Sequence, residues 1–440
     1  MRITRHLLLL LTGLAAAAAM AGEPPSRPAI DAPELARLGD SAVGVRTLTL
    51  VNASQPDVLA FDPTTNSVPM RDRRLTVDIW YPAQAKSGAK AETYTGELPS
   101  EGAAPPAKFT IPGIAVRGAA AAPGQHPLVI VSHGYSNVTV ALSWLTENLA
   151  SKGYVVAAIR HEDPTIGDRT RFAAPLLRRP VDIAFVAKSL QASLAAEGLV
   201  DPARTALIGY SMGGYGVLTS AGAILDPDGP AKHVPGGAML PYARGGALQD
   251  AIVVQHLRAV VALAPAGGGT LAVWGKDGLT GIHAPLLLIA GDRDHTVDYT
   301  SGARAFFDSA TNASRYLLTY RGGGHAVGLN SAPDSMRSTL WDLSWFEDPV
   351  WRKERIIAIN LHMITAFLDR YVRDDQSKAS YLNVAVPDSN EGQWPSELVT
   401  LFDVQSPAAN GITVWKGFQR NFSTNLEMLH REPSQTASVR

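Results

Sequence analysis

The sequence of 440 residues contains no cysteine. Such a chain can form no disulfide, and it can carry neither a thiol nucleophile nor a lipid-anchoring cysteine behind a signal peptide. A charge excess is missing as well, because 39 Lys and Arg nearly balance 40 Asp and Glu. The charges are interspersed, so the sequence argues against nucleic-acid binding and against a charged disordered tail.

Long apolar runs are also scarce, and the one at the N-terminus has the features of a secretory signal. Arg2 and Arg5 precede the apolar residues 7–19, and an Ala-Met-Ala cleavage site ends at Ala21. The run is short for a bilayer span, so we predict a cleaved signal peptide over residues 1–21, with an uncleaved anchor as the alternative. No other stretch reaches membrane-spanning length. An exported protein without disulfides is typical of a bacterial periplasm or medium, and we expect the protein in one of these compartments.

From residue 127 onward, short apolar strands alternate with helical segments. The strand-like runs are PLVIVS, YVVAAI, RTALIGY, RAVVALAP, APLLLIAGD and SRYLLTY. One intervening helix is predicted to begin at Pro180, because proline is favoured in the first helical turn. This alternation predicts an α/β fold in which helices cover both faces of a mostly parallel central sheet.

The same pattern divides the chain into segments. The α/β core is predicted over residues 127–373, preceded by an arm and sheet-extending strands over residues 22–126, with loops at 83–126. Residues 222–257 are rich in Gly, Pro and Asp and form a predicted insertion with the length of a lid. Residues 374–440 are a C-terminal extension that includes the strand-like GITVW.

The stretch GYSMGG raises the first chemical hypothesis. It places Ser211 between Gly209 and Gly213, after a strand and before a helix. G-x-S-x-G in this context is typical of a nucleophile elbow, in which glycines permit a tight turn and the helix N-terminus favours negative charge. We predict that Ser211 is a nucleophile. The alternative is a glycine-rich turn before a packed helix.

A nucleophilic serine needs a base, which in this arrangement follows a later strand. His325 lies in a loop with three glycines directly after SRYLLTY and is the predicted base. His362 lies in an apolar helix and is predicted to be packed there. His430 lies in the C-terminal extension, and His295 directly follows the favoured acid.

The acid should follow APLLLIAGD, where the residues leave Asp292 and Asp294 open and Asp298 third. We favour Asp294, because the turn at Asp292 carries the chain off the strand first. Plain turn chemistry is the alternative for these residues. The glycine and glutamate of a calcium loop are absent, so neither a metal nor another cofactor is predicted.

An oxyanion also needs hydrogen-bond donors. The backbone N–H of Met212 follows the nucleophile, and that of Tyr135 lies in the loop HGYSN after PLVIVS; both are predicted to form the oxyanion hole. Tyr135, Tyr210 and Trp274 are candidates for the substrate pocket, although Trp274 fits the core equally well.

Taken together, these motifs resemble the α/β-hydrolase superfamily. The residues that carry the resemblance are LTVDIWYPA, PLVIVSHGYSN, LASKGYVVAAIRHED, RRPVDIAFV, IGYSMGGYG, AVVALAPAGGG, LLLIAGDRDHTV and GGGHAVG, within residues 70–372. More narrowly, they resemble predicted dienelactone hydrolases and platelet-activating-factor acetylhydrolase-like esterases, and Tyr135 with the Ser211–Met212 pair is similar to cutinase-like polyester hydrolases. The resemblance implies that Asp294 is the acid. Dienelactone hydrolases proper use a cysteine nucleophile, which this chain lacks.

We therefore expect a secreted serine carboxylesterase that cleaves small to medium hydrophobic esters through a Ser-His-Asp triad and an acyl-enzyme. The alternatives are a cutinase-like polyester or lipid hydrolase, a serine peptidase of the same fold, and an inactive relative that serves as a binding module. The expected partner is a small-molecule ester, with no nucleic acid and no membrane span. The sequence leaves the oligomeric state open.

Overall fold

A computed structural model describes residues 24–84, 88–102, 104–166, 168, 171–394, 411–419 and 422–434. The predicted signal peptide lies outside the described residues. None of the helices in these ranges combines the length and apolar character needed to cross a bilayer.

A central sheet organises the described structure. The strands are β1 (Ala42–Pro56), β2 (Met70–Ala83), β3 (Thr93–Leu98), β4 (Ala107–Pro112), β5 (Val116–Arg117), β6 (His126–Ser132), β7 (Val155–Arg160), β8 (Val200–Tyr210), β9 (Leu257–Leu263), β10 (Leu286–Gly291), β11 (Arg315–Tyr320) and β12 (Leu426–Arg431). Ten of these described strands form one sheet in the order β12-β11-β10-β9-β8-β6-β7-β2-β1-β5. Strands β6 to β11 are mutually parallel, whereas β2 and β12 join the two ends of this parallel set in antiparallel orientation.

Helices cover both faces of this sheet. They are α1 (Ser143–Ser151), α2 (Ala173–Ala196), α3 (Met212–Ser220), α4 (Ala305–Ser309), α5 (Leu340–Phe346), α6 (Lys353–Val372) and α7 (Ala379–Leu382). Along β6, Val129 and Val131 pack into the cluster that contains α1 and α6, whereas Leu128 and Ile130 pack into the cluster that contains α2, α3 and α4. A strand buried on both faces needs such an unbroken apolar run. The predicted α/β class, with a mostly parallel sheet covered on both faces, is confirmed.

The start of α2 differs from the prediction. The helix begins at Ala173, and Pro180 lies inside it. Proline lacks an N–H, so the carbonyl of Leu176, four residues earlier, loses its helical donor. The hydroxyl of Tyr215 donates to that carbonyl instead, at 2.8 Å. A tertiary contact therefore makes proline tolerable within this helix.

Two other regions differ as well. The loops expected over residues 83–126 contain an antiparallel hairpin of β3 and β4, which turns Tyr94, Leu98, Phe109 and Ile111 into the core. In the C-terminal extension, GITVW forms no strand, and β12 pairs with β11 instead.

The predicted insertion, residues 222–257, packs against α2 and contains the short 3₁₀ helices Pro230–His233, Pro235–Gly237, Leu240–Tyr242 and Gln249–Ile252. Its two ends lie together, because the amide of Val254 donates to the carbonyl of Ser220 at 2.9 Å. The insertion thus starts from the carboxyl end of α3. Its action as a lid stays a prediction.

Candidate active site

Ser211 lies at the sharp junction between β8 and α3. Its φ of 54° is in the left-handed region, which is strained for a residue with a side chain. A Cβ on Gly209 would lie 2.2 Å from the carbonyl oxygen of Gly213, and one on Gly213 would lie 2.0 Å from that of Ser132. Only glycine fits at both positions, so the turn has the tight geometry expected of a nucleophile elbow.

His325 connects Ser211 to Asp294. The Nε2 atom of His325 lies 3.0 Å from Oγ of Ser211, and its Nδ1 lies 2.7 Å from Oδ2 of Asp294. The other carboxylate oxygen of Asp294 accepts the backbone amides of Thr296 and Val297 at 2.9 and 3.1 Å. The structure therefore brings the predicted nucleophile, base and acid into one hydrogen-bonded chain.

The surroundings of Asp294 keep its carboxylate charged. Burial favours the neutral acid, but the hydrogen bond and charge of His325, together with two backbone amides, hold the pKa of Asp294 below its ordinary value. The ionised carboxylate orients the imidazole through Nδ1. It can also stabilise positive charge on His325 when Nε2 accepts a proton.

The remaining acidic candidates have structural partners. Asp292 accepts the amide of Gly322 at 2.7 Å and so fixes a turn. Asp298 is exposed and accepts both the amide and the hydroxyl of Ser301, at 2.7 and 2.8 Å. Neither lies in the hydrogen-bonded chain that reaches Ser211.

The other histidines considered from sequence also lie elsewhere. His362 is fully buried in α6, where Nδ1 accepts the amide of Leu35 at 3.1 Å, in agreement with the prediction of a packed histidine. His430 lies on β12 and stacks on the ring of Tyr316. His295 is exposed.

The loop that carries Tyr135 follows β6 and passes beside the nucleophile. A Cβ built on Gly134 would lie 3.5 Å from Cβ of Ser211. Neither the amide of Tyr135 nor that of Met212 donates a hydrogen bond to another described residue. Met212 is the first residue of α3, where helical amides lack internal acceptors. Both amides are accordingly available near Ser211, and their role as oxyanion donors stays a prediction.

The three predicted pocket residues have different surroundings. Tyr135 is half-buried, and its ring meets the edge of Phe172 at 5.5 Å. Tyr210 is buried, and its ring lies 5.3 Å from that of His325, whose carbonyl accepts the Tyr210 hydroxyl at 3.2 Å. Tyr135 thus remains near the surface, whereas Tyr210 supports the candidate base from inside.

Trp274 does not line an open surface. It is 2% exposed, and its ring packs against Tyr215 and Phe306. Its indole N–H donates to the hydroxyl of Thr219 at 3.1 Å. Packing of a large ring with its one polar group satisfied is typical of a core residue, which favours the core alternative for Trp274.

Sequence reasoning missed a group of buried charged residues beneath the Tyr135 loop. Arg179 in α2 is fully buried and contacts the carbonyls of His133 and Gly134 as well as the carboxylate of Asp163. Arg179 and Asp163 belong to the motifs RRPVDIAFV and LASKGYVVAAIRHED, for which the sequence indicated no chemical role. His133 and Gly134 belong to the loop that was predicted to supply an oxyanion donor.

The topology and the elbow define a class of protein, the α/β-hydrolase fold. A solved structure agrees: the ferulic acid esterase from Streptomyces cinnamoneus matches with a TM-score of 0.52 and 22% sequence identity, over 78% of this chain and 94% of that one. The likeness shows the fold.

Sequence comparison shows which α/β-hydrolases this chain is similar to. Residues 114–226 match the family described as "PETase: PET hydrolase-like". Cutinase 2 from Thermobifida cellulosilytica is 26% identical over 200 residues, which cover 45% of this chain and 59% of that protein. Cutinase est2 from Thermobifida alba is 34% identical over 93 residues, 21% of this chain and 29% of that protein. The chain thus spans less than two thirds of these cutinases, and its resemblance to α/β-hydrolases with cutinase-like similarity is confirmed.

Proposed function

We propose that the protein is an exported serine carboxylic-ester hydrolase that acts through Ser211, His325 and Asp294. The observation that carries the proposal is the unbroken chain of contacts from Oγ of Ser211 through the imidazole to Asp294, at 3.0 and 2.7 Å. Similarity to cutinases and to a ferulic acid esterase supports an ester as the substrate. The apolar N-terminal residues support export.

Acylation follows from the positions of the donors and acceptors. Nε2 of His325 accepts the proton of Ser211 as Oγ attacks the ester carbonyl carbon. Asp294 holds the opposite ring nitrogen and stabilises the imidazolium. The amides of Tyr135 and Met212 bind the carbonyl oxygen as it becomes negative, and the alcohol leaves with the proton from His325.

Deacylation repeats these steps with water. His325 accepts a proton from a water molecule that attacks the acyl group on Ser211. The same two amides stabilise the second oxyanion, and the N-terminus of α3 adds a favourable partial charge. The carboxylic acid then leaves, and the proton returns to Oγ.

Small to medium hydrophobic esters are the substrates we propose first, because the half-buried ring of Tyr135 offers an apolar contact in the loop beside Ser211. A cutinase-like action on polyesters or lipids is a second candidate, favoured by the direction of α3. That helix starts directly after Ser211 and is about 13 Å long at 1.5 Å per residue, so the insertion starts at its far end. Ser211 and His325 are also only half-buried.

Hydrolysis of a p-nitrophenyl ester ladder, from acetate to palmitate, tests the proposal. Ser211→Ala should lower turnover by on the order of 10⁴ to 10⁶. Ser220→Ala is a matched control, because this buried serine lies at the other end of α3 and its hydroxyl donates to the carbonyl of Pro180, at 3.2 Å, and to no other described residue. Its turnover should stay within about threefold of the wild type.

The outcomes separate the hypotheses. A wild type that cleaves none of the esters would contradict the proposed triad and favour the inactive binding module. Activity confined to short chains supports the small-ester hydrolase. Activity that extends to palmitate supports the cutinase-like alternative and makes polyester films the next substrate.

A further inference from the structure

A buried guanidinium holds the loop that carries the Tyr135 amide. Arg179 has an exposed fraction of 0%, and it reaches the loop from the protein interior. Nη1 donates to the carbonyl of His133 and to Oγ of Ser132 at 3.2 Å, and Nη2 donates to the carbonyl of Gly134 at 3.0 Å. One side chain thus contacts three consecutive residues directly before Tyr135.

Asp163 holds the other side of Tyr135. Its carboxylate pairs with Nη2 of Arg179 and accepts the amide of Ser136 at 3.0 Å. The φ of Ser136 is 51°, a left-handed conformation that persists only where neighbouring groups enforce it. The hydroxyl of Ser136 adds a second tie, to the carbonyl of Pro164 at 2.7 Å. The peptide groups before and after Tyr135 are therefore attached to an ion pair.

Two buried histidines complete the support. Burial lowers the pKa of His133 well below its ordinary value and that of His161 to about 4, so both rings are neutral near pH 7. Nδ1 of His133 then donates to the carbonyl of Gly134 at 2.7 Å, and Nε2 accepts the amide of His161 at 3.1 Å. His161 in turn lies 2.9 Å from Oγ of Ser132 and 3.1 Å from Asp182.

We infer that Arg179 and Asp163 are positioning residues for this enzyme, because they direct the N–H of Tyr135 toward the carbonyl oxygen of an ester at Ser211. The inference rests on the proposed function. Arginine suits this task because its planar donors have a fixed geometry, whereas lysine would keep the charge and reach fewer acceptors. Loss of one oxyanion donor lowers turnover by about 10² to 10³, so a displaced donor should cost about 10- to 100-fold.

Arg179→Lys and Asp163→Ala test the inference beside a matched control, Arg315→Lys. Arg315 is also buried, at 3% exposure, and donates to the carbonyls of Phe307 and Ala313. It lies at the amino end of β11, whereas His325 follows the carboxyl end of that strand. The measurements are kcat and KM with p-nitrophenyl butyrate, the inhibition constant of butylboronic acid, and the melting temperature. Boronic acids form a tetrahedral adduct on an active-site serine and therefore report on the oxyanion site.

The expected result is a 10- to 100-fold loss of kcat in the Arg179 and Asp163 variants, with KM within about threefold and boronic acid binding weakened in parallel with kcat. Arg315→Lys should lose thermal stability and keep kcat. Where Arg179→Lys does not fold, Asp163→Ala carries the test, because alanine removes the acceptor of the Ser136 amide and leaves Arg179 with its contacts to the carbonyls of His133 and Gly134. An active wild type whose folded variants retain kcat and boronic acid affinity would overturn the inference and leave the proposed function intact. A wild type without esterase activity would overturn the proposed function, and the inference with it.

Discussion

Replacement of Asp294 by asparagine is a sharp test of the hydrogen-bonded chain, because the structure dictates how the new side chain must orient. Oδ1 of Asp294 accepts the amides of Thr296 and Val297 at 2.9 and 3.1 Å. An amide oxygen can take over this position, whereas an NH₂ group cannot. The NH₂ group of the introduced asparagine would therefore face Nδ1 of His325, where Oδ2 now lies at 2.7 Å.

This orientation inverts the tautomer of the histidine. The new NH₂ group donates a hydrogen bond, so Nδ1 must accept it and the ring proton moves to Nε2. Nε2 then cannot accept the proton of Ser211, although it still lies 3.0 Å from Oγ. Loss of turnover should be about 10⁴-fold, by analogy with the same change in other triads. At about 1.36 kcal/mol per decade, this is about 5.4 kcal/mol of transition-state stabilisation. KM should change little, because Asp294 lies behind the imidazole.

The assay is the initial rate of p-nitrophenyl butyrate hydrolysis at saturation, with Ser211→Ala as the background. Asp292→Asn is the matched control, because the one side-chain hydrogen bond of Asp292 to the described residues comes from the amide of Gly322, which an asparagine oxygen can also accept. It should keep turnover within about threefold. The reasoning is refuted if Asp294→Asn keeps more than about a tenth of wild-type turnover, or if the large loss appears in Asp292→Asn.

Two further predictions concern stability. Burial lowers the pKa of His161 to about 4 and that of His362 to about 3, both from 6.5, so the unfolded chain binds more protons below pH 6.5. The free energy of unfolding should therefore fall as the pH drops from 6.5 toward 4, by about 1.4 kcal/mol per pH unit for each histidine. Urea unfolding at pH 7.5, 6 and 5 measures this free energy. The same value at all three pH values would contradict the prediction. Tyr215→Phe leaves the Leu176 carbonyl without a donor and should reduce the unfolding free energy by about 1–3 kcal/mol. Adding Pro180→Ala restores a backbone donor, so chemical unfolding of the double variant should show partial recovery, which a purely steric effect of Tyr215→Phe would not give.

The sequence predicts the candidate nucleophile and base well because their signals are local. Gly209 and Gly213 mark a turn in which a Cβ has no room, and the strand before Ser211 and the helix after it have clear patterns. His325 is predicted from a similarly local feature, a glycine-rich loop directly after a buried strand. Asp294 is harder to select from the residues alone, because Asp292 lies on the same turn and only the tertiary structure shows which carboxylate reaches the imidazole.

The regions that the sequence predicted wrongly depend on contacts between distant segments. Gly96 in β3 resembles a turn residue, but a Cβ there would lie 2.5 Å from the ring of Phe109 on the neighbouring strand. Glycine makes room for an aromatic ring across the hairpin, and the residue itself carries no sign of that partner. Pro180 similarly has the features of a helix start, because the Tyr215 that compensates for it lies in a different helix.

The ion pair beneath the Tyr135 loop is the hardest feature to predict, and the strand order explains why. Arginine and aspartate are expected at the surface, so their identity argues against the burial that Arg179 and Asp163 show. Strands β6 and β7 are adjacent and parallel, so the loops that follow them meet at one edge of the sheet, where α2 also begins after β7. The same edge receives Ser211, because β8 is the other neighbour of β6. The strand order therefore places Arg179, early in α2, where it can support the loop beside the nucleophile. The role of the motif RRPVDIAFV follows from this position and not from its residue types alone.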